Sequence, residues 1–393
     1  MPRNRNNQPL RGLLSYRKST MTNFNGLGYI VNNKVFFNTY LAQYESFTSK
    51  KPIHFCCYDE SYDTLDWSKE PEQSFEQLMD AHMIHLRNKY ERLIFLWSGG
   101  TDSQTIYNVI KRNNIHIDEI LTKHHETSSI YPDSNVQWLI ANHWDPTTKI
   151  TPVDEYDPES RKHVIKNDEW IFNNSGDILK FGHSVVSDTL TFQCERNHNG
   201  HNWGVITGFE KPIIELVNGV WYAKQSDRIL RQCLGHERLE NFFLDPLINL
   251  KQCHLAKNTL KTTQAKNKRN WSLPEVNRYN GNAAYTAWAR ALGRHNEVSI
   301  GVSHLQKVEN GKTSTVAFDS TAGIDNFDSV NGEPMLVAKL KQGDQLAINY
   351  LNGFYNLCSQ GEFYNFLNEH ALEKKDMFLK TKQIYSKPYY IGS

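Results

Sequence analysis

The apolar positions of this chain follow two periods. In some places they crowd into short uninterrupted runs, as in Leu93–Trp97, "LIFLW". Runs of that kind predict strands covered on both faces. The core of "HIDEILTKHH", "KITPVD" and "WGVITGFEKP" repeats the pattern. Elsewhere the apolar residues recur every three or four positions, which predicts amphipathic helices. Phe75, Leu78, Met79, His82, Met83 and Leu86 form such a stripe in "SFEQLMDAHMIHLRNKY", and Ser74 is placed to cap it. Further helices are predicted over Asp102–Asn113, in "SNVQWLIANHW" and in "ESRKHVIKNDEWIFNN". Strands that alternate with helices predict βαβ units around a parallel sheet.

Other segments punctuate this pattern. "YIVNNKVFF" (Tyr29–Phe37) predicts a hairpin, because Asn32-Asn33 tolerates the positive φ of a tight turn. "PIHFCCYD" predicts a short strand, and "IIELVNGVWYA" predicts a second hairpin around Asn218-Gly219. Residues 1–20 carry Arg3, Arg5, Arg11, Arg17 and Lys18 without an acid, and are expected to form an arm. From Gln225 to about Arg294 the period is helical, and residues 295–393 mix helix, loop and short strands. The expected organisation is an N-terminal arm with a small hairpin region over 1–73, an α/β domain over 74–228, and a mainly helical, mixed C-terminal region over 229–393.

Composition narrows the function classes. The chain has 393 residues with 44 Lys+Arg and 43 Asp+Glu, a net charge of +1, which demands neither nucleic acid nor an acidic partner. No run of eighteen apolar residues occurs and the first residues lack an apolar signal core, so a cytoplasmic protein without a membrane span is expected. Six cysteines, at 56, 57, 194, 233, 253 and 358, include no Cys-x-x-Cys pair, which predicts reduced thiols.

The densest chemistry lies in Glu91–Thr105, "ERLIFLWSGGTDSQT". Gly99 and Gly100 permit close approach of backbone to a ligand. The N–H groups from Gly100 to Ser103 open a helix and converge on one spot, which with the helix dipole favours phosphate. Ser98, Thr101 and Ser103 add hydroxyl donors. Asp102 would repel phosphate unless a cation stood between them, which suggests Mg²⁺ shared with a polyphosphate. A plain helix start, with Ser98 as cap and Asp102 answering the dipole, would explain any one of these residues but not the whole string.

"SGGTDS" resembles the SGGxDS signature of the PP-loop ATP pyrophosphatases. The segment before it is similar to asparagine synthetases, and the resemblance covers about Phe75–Asp227. The resemblance implies a doubly wound parallel sheet of the HUP type, ATP and Mg²⁺ as cofactors, AMP transfer to a carboxylate or amide oxygen with pyrophosphate release, and then attack by an amine. It implies that Ser98, Gly99, Gly100, Thr101, Asp102, Ser103 and Gly208 bind the nucleotide, with adenine near the backbone of Leu96–Trp97 and Leu121–Lys123. Asp102 and Glu210 are the metal candidates, and Lys211, Lys224 and Lys387 are candidates to face the phosphates, with Lys211 favoured. The family's acidic Gly-Ala-Asp-Glu-like turn is replaced here by Thr207, Gly208 and a single acid, Glu210, followed by Lys211. With a Met-Pro start and only about 90 residues before the motif strand, no glutaminase domain is expected. "FFLDPLINLKQCHLAKN" and "IYSKPYYIGS" are similar to phage proteins of this superfamily, which would place the protein in a host cytoplasm.

Two further readings of function stay open. One is a nucleobase or tRNA modifier of the same superfamily. The other is a non-catalytic nucleotide-binding or structural protein. A small-molecule acceptor is expected, with nucleic acid as the less favoured partner. Cys194, His198 and His201 have zinc-ligand chemistry, but their spacing closes no four-ligand set and a polar loop is favoured. His124-His125-Glu126 offers a base at a strand end, though a loop pair of histidines is favoured. Lys251, Lys257, Lys261, Lys266, Lys268 and Arg269 form an acid-free stretch, which is read as a solvated helix face rather than an RNA contact.

Overall fold

The computed structural model describes residues 26–97, 101–124, 139–154, 192–208, 212–217, 219–227, 230, 238–267 and 384–393, with short pieces at 329–330, 333–334, 340–345 and 347–349. The expected arm over 1–20, the segment 155–191 and most of residues 268–383 lie outside these. Among the described residues no helix is long and apolar enough to cross a membrane.

The N-terminal hairpin forms as its sequence predicts. Strands β1 (Leu27–Val31) and β2 (Lys34–Phe36) pair antiparallel, and Asn32 and Asn33 take φ of 48° and 57°. That turn carries the twist of the flanking strands, and Asn accepts it at low cost. Helix α1 (Thr39–Ser49) follows, then β3 (His54–Cys57), which pairs with β1, and the short α2 (Asp59–Asp63). Helix α3 (Phe75–Lys89) starts in a capping box: the Ser74 hydroxyl accepts from the Gln77 N–H while the Gln77 side chain accepts from the Ser74 N–H. Its stripe of Phe75, Leu78, Met79, Met83 and Leu86 is buried.

The central sheet has five strands, all parallel: β4 (Arg92–Trp97), β5 (Glu119–His124), β6 (Lys149–Asp154), β7 (Trp203–Thr207) and, beyond the antiparallel hairpin β8 (Ile213–Val217) and β9 (Val220–Lys224), β10 (Leu239–Asn241). Helix α4 (Thr101–Arg112) connects β4 to β5. Strand β4 is covered on both faces. Leu93, Phe95 and Trp97 pack with α3 and α4, while Ile94 and Leu96 pack with Leu121, Cys194, Trp203 and Val205. This explains why its apolar run does not alternate.

Two contacts secure the amino ends of these strands. Asp118 accepts from Arg87 (2.8 Å), Arg92 (2.7 Å) and the Leu93 N–H (2.9 Å). Gly204 lies under the Tyr90 ring, where a Cβ would come within 2.5 Å of ring carbon.

The remaining long helix, α5 (Pro246–Asn267), joins the two layers of the molecule. Ile248 enters the core of the parallel sheet, while Leu250, Cys253 and Ala256 pack with Trp221 and Ala223 of β9. After the minor pair β11 (Ser329–Val330) and β12 (Glu333–Pro334), the last strand, β13 (Tyr389–Gly392), pairs with β9 to give a three-stranded sheet in the order β13-β9-β8.

Two expectations are corrected. The helical period from Gln225 onward conceals β10, which pairs parallel with β7. The reason is that Leu239–Asn241 is only three residues long and carries no period of its own. The basic stretch is not a solvated face at its start. Lys251 donates to the Pro71 carbonyl (2.9 Å) and pairs with Glu70 (2.7 Å), and Lys257 donates to the Ile391 carbonyl, both lysines being buried. Their long stems cover apolar surface while the ammonium groups hold the loop before α3 and the last strand.

Candidate functional site

Numbered by appearance, the parallel strands lie in the order 3-2-1-4-5, since β6-β5-β4-β7-β10 is the spatial order. The order reverses between β4 and β7. A crevice opens at such a point at the carboxyl ends of the strands, because the connections leave it in opposite directions. The motif stands there: β4 ends at Trp97 and α4 begins at Thr101. Ser98, Gly99 and Gly100 lie outside the described residues, as does the Thr101 side chain.

What the structure brings together is Asp102 and Gly208. Asp102 occupies the first turn of α4, where backbone N–H groups have no carbonyl partner within the helix. Gly208 follows β7 directly, and a Cβ on it would lie 3.5 Å from the Asp102 Cβ and 3.0 Å from Ile106 Cδ1. Glycine therefore lets the end of β7 close onto α4. The Asp102 Oδ1 is shielded from solvent and Ser103 is buried.

Three polar groups stand at the same ends of the sheet; sequence reading named Thr207, covered Thr122 only as backbone within Leu121–Lys123, and missed Asn241. Thr122 stands opposite Trp97 in register, is fully buried, and its hydroxyl has no hydrogen-bond partner among the described residues. Thr207 is buried and reaches the Glu240 carbonyl at 3.5 Å. Asn241 is buried at the end of β10. Each is the first polar residue to end an apolar run or a strand, and that was the available signal. Trp97 and Tyr107 pack at 6.4 Å beneath this edge, and burial pushes the Tyr107 phenol up to about 12.

The lysines separate. Glu210 and Lys211 lie outside the described residues. Lys224 pairs in register with Ile213, which follows Gly208 by five residues, at most about 18 Å of extended chain. Lys224 therefore lies at the Ile213 end of the hairpin, with its ammonium 3.9 Å over the Tyr385 ring. Lys387 is engaged elsewhere, in an ion pair with Asp63.

The zinc grouping does not assemble, and among the described residues no three His, Cys, Asp or Glu side chains could hold a metal ion. Cys194 lies in a helical segment packed in the core, not in a polar loop, and burial drives its thiol well above the ordinary range. His198 turns to Glu119 (2.7 Å) and His201 to Glu91 (3.5 Å). The His124 side chain, His125 and Glu126 lie outside the described residues. Cys56, Cys57, Cys194 and Cys253 are buried.

Comparison of the chain with protein-family models and with curated proteins gives no match. The fold and the crevice therefore carry the functional argument on their own.

Proposed function

We propose that this chain is an ATP-dependent adenylating enzyme of the PP-loop type, built on a doubly wound sheet and most similar to asparagine synthetases. The observation that carries the reading is the contact of Gly208 with Asp102 where the strand order reverses, directly after the "SGG" turn. The N-terminus of α4 favours an anion, and the glycine pair would let polyphosphate come close to it. Asp102 offers a hard oxygen ligand of the kind Mg²⁺ takes.

With Mg²⁺ bound, the ion would offset the charge of the leaving pyrophosphate. The chain's own part is positional. Backbone N–H groups of Gly100–Ser103 would hold the β- and γ-phosphates, leaving the α-phosphorus open to in-line attack by the acceptor oxygen. Lys224, and Lys211 in the link before β8, are the cations near enough along the chain to meet the phosphates. A carboxylate or amide acceptor is the primary reading. A nucleobase or tRNA acceptor is the second, favoured by Tyr222 and Tyr390 on the small sheet.

The test is product analysis. The protein is incubated with α- and γ-labelled ATP, Mg²⁺ and pools of candidate acceptors. AMP and pyrophosphate are the expected products. ADP and phosphate as the main products would refute the reading.

A further inference from the structure

We infer that the outer face of the small sheet β13-β9-β8 is a docking surface for single-stranded nucleic acid. The face is defined by strand alternation. On β9, Trp221 and Ala223 are buried against α5, so Val220, Tyr222 and Lys224 point the other way and are partly exposed. On β13, Tyr389 and Ile391 point inward and Tyr390 points out, 47% exposed. Tyr222 and Tyr390 are paired in register with ring centroids 6.2 Å apart. Tyr385, 37% exposed, extends the row through its bridge to Ser226 and lies under the Lys224 ammonium.

The chemistry of the exposed groups selects the occupant. Tyrosines on a sheet face offer flat stacking platforms that accept any base, and a lysine between them meets phosphate. Same-face neighbours such as Tyr222 and Lys224 stand about 7 Å apart, which suits alternate base and phosphate contacts along an extended strand. Glu215 occupies the register position beside Tyr222, and stacking is expected to supply most of the contact. The surface differs from the basic stretch of α5, whose Lys251 and Lys257 are already committed within the fold.

The inference shares Tyr222, Tyr390 and Lys224 with the nucleic-acid acceptor reading above, and its test does not depend on ATP turnover. The intact protein is titrated onto 5′-fluorescein-labelled twelve-nucleotide oligo-U and oligo-dT, and onto a duplex of the same length, with anisotropy as readout. Binding to the single strands but not the duplex is expected. A log–log salt slope shallower than about −1.5 is expected, since only one or two phosphates are met. Tyr222→Ala and Tyr390→Ala should each weaken binding at least roughly fivefold, while Tyr222→Phe and Tyr390→Phe should keep it, because a phenyl ring still stacks. Circular dichroism of each variant checks that the exposed substitutions leave the fold intact. Absence of single-strand binding, equal affinity for the duplex, or unchanged affinity of both alanine variants overturns the inference. ATP binding by calorimetry on the same samples separates the two proposals, since loss of either activity leaves the other measurable.

Discussion

Gly208, just beyond β7, lies against the first turn of α4: a Cβ there would stand 3.0 Å from Ile106 Cδ1, a tight approach to the end of a side chain, and 3.5 Å from the Asp102 Cβ, an ordinary contact. The contact joins the first and fourth strands of the sheet at the point where the strand order reverses. Gly208→Val should push α4 away from the end of β7. Overpacking of this kind costs roughly 1–3 kcal/mol. Urea unfolding should show that loss, and calorimetry should show weaker ATP binding at temperatures where the variant is still folded. An ATP affinity equal to wild type would place the nucleotide elsewhere.

Asp102 itself tests the metal. Two like charges about 4 Å apart at an effective dielectric near 20 repel by about 4 kcal/mol. Asp102→Asn should therefore reduce the Mg²⁺ dependence of ATP binding, and with EDTA it should bind ATP at least as well as wild type. Weaker binding of the variant in EDTA would make Asp102 a structural acceptor at the helix start.

Gly204 and Tyr90 offer a packing test remote from the crevice. A Cβ at position 204 would fall within 2.7 Å of three Tyr90 ring carbons, so Gly204→Ala should destabilise the protein by about 1–3 kcal/mol. Tyr90→Leu should partly relieve that cost. Each single variant and the double variant are compared by chemical denaturation, and strict additivity would show that the ring is not the obstacle.

Acid should weaken the fold through two neighbouring carboxylates. Burial alone would raise Asp118, but hydrogen bonds from Arg87, the Leu93 N–H and Arg92 outweigh it and hold the carboxyl at about 2. Burial likewise acts upward on Glu119, and His198, Thr151 and Lys149 hold it at about 2. Both folded values lie below the unfolded ones, so the stabilisation is full above about pH 4.5 and is lost as pH falls towards 2. Each group should contribute about 1–2 kcal/mol after allowance for solvent screening. Asp118→Asn should lower stability at pH 7 and flatten the decline between pH 4.5 and 2, as followed by thermal melts. A slope unchanged in that window would exclude Asp118 from the acid transition.

The C-terminal segment gives a local prediction. Gly392 has φ of 100°, and its Cβ position would lie 3.0 Å from the Lys257 ammonium, which donates to the Ile391 carbonyl. Lys257→Ala should leave that carbonyl without its donor and raise amide exchange across Tyr389–Gly392. Exchange in β4 should stay slow, and equal acceleration in both strands would show global rather than local loss.

Local pattern alone determined much of this molecule. The Asn32-Asn33 turn, the Ser74 cap, the stripe of α3 and the two-sided burial of Leu93–Trp97 are each set by residues within one or two turns of chain, so the sequence shows them directly. It also placed the glycine pair of the motif between a buried strand and a helix. Only the tertiary structure decided the rest, because long-range pairing has no local period. The three residues of β10 became a strand by finding the open edge of β7, against the helical period around them. Lys251 and Lys257 look solvated in sequence, yet carbonyls of Pro71 and Ile391, remote in the chain, draw them inward. Cys194 and His198 share a zinc-like spacing, but the fold sends one side chain into the core and the other to Glu119. The approach of Gly208 to Asp102 arises in the same way: sheet order brings together residues more than a hundred positions apart, and that order is chosen by which edges and faces remain to be buried.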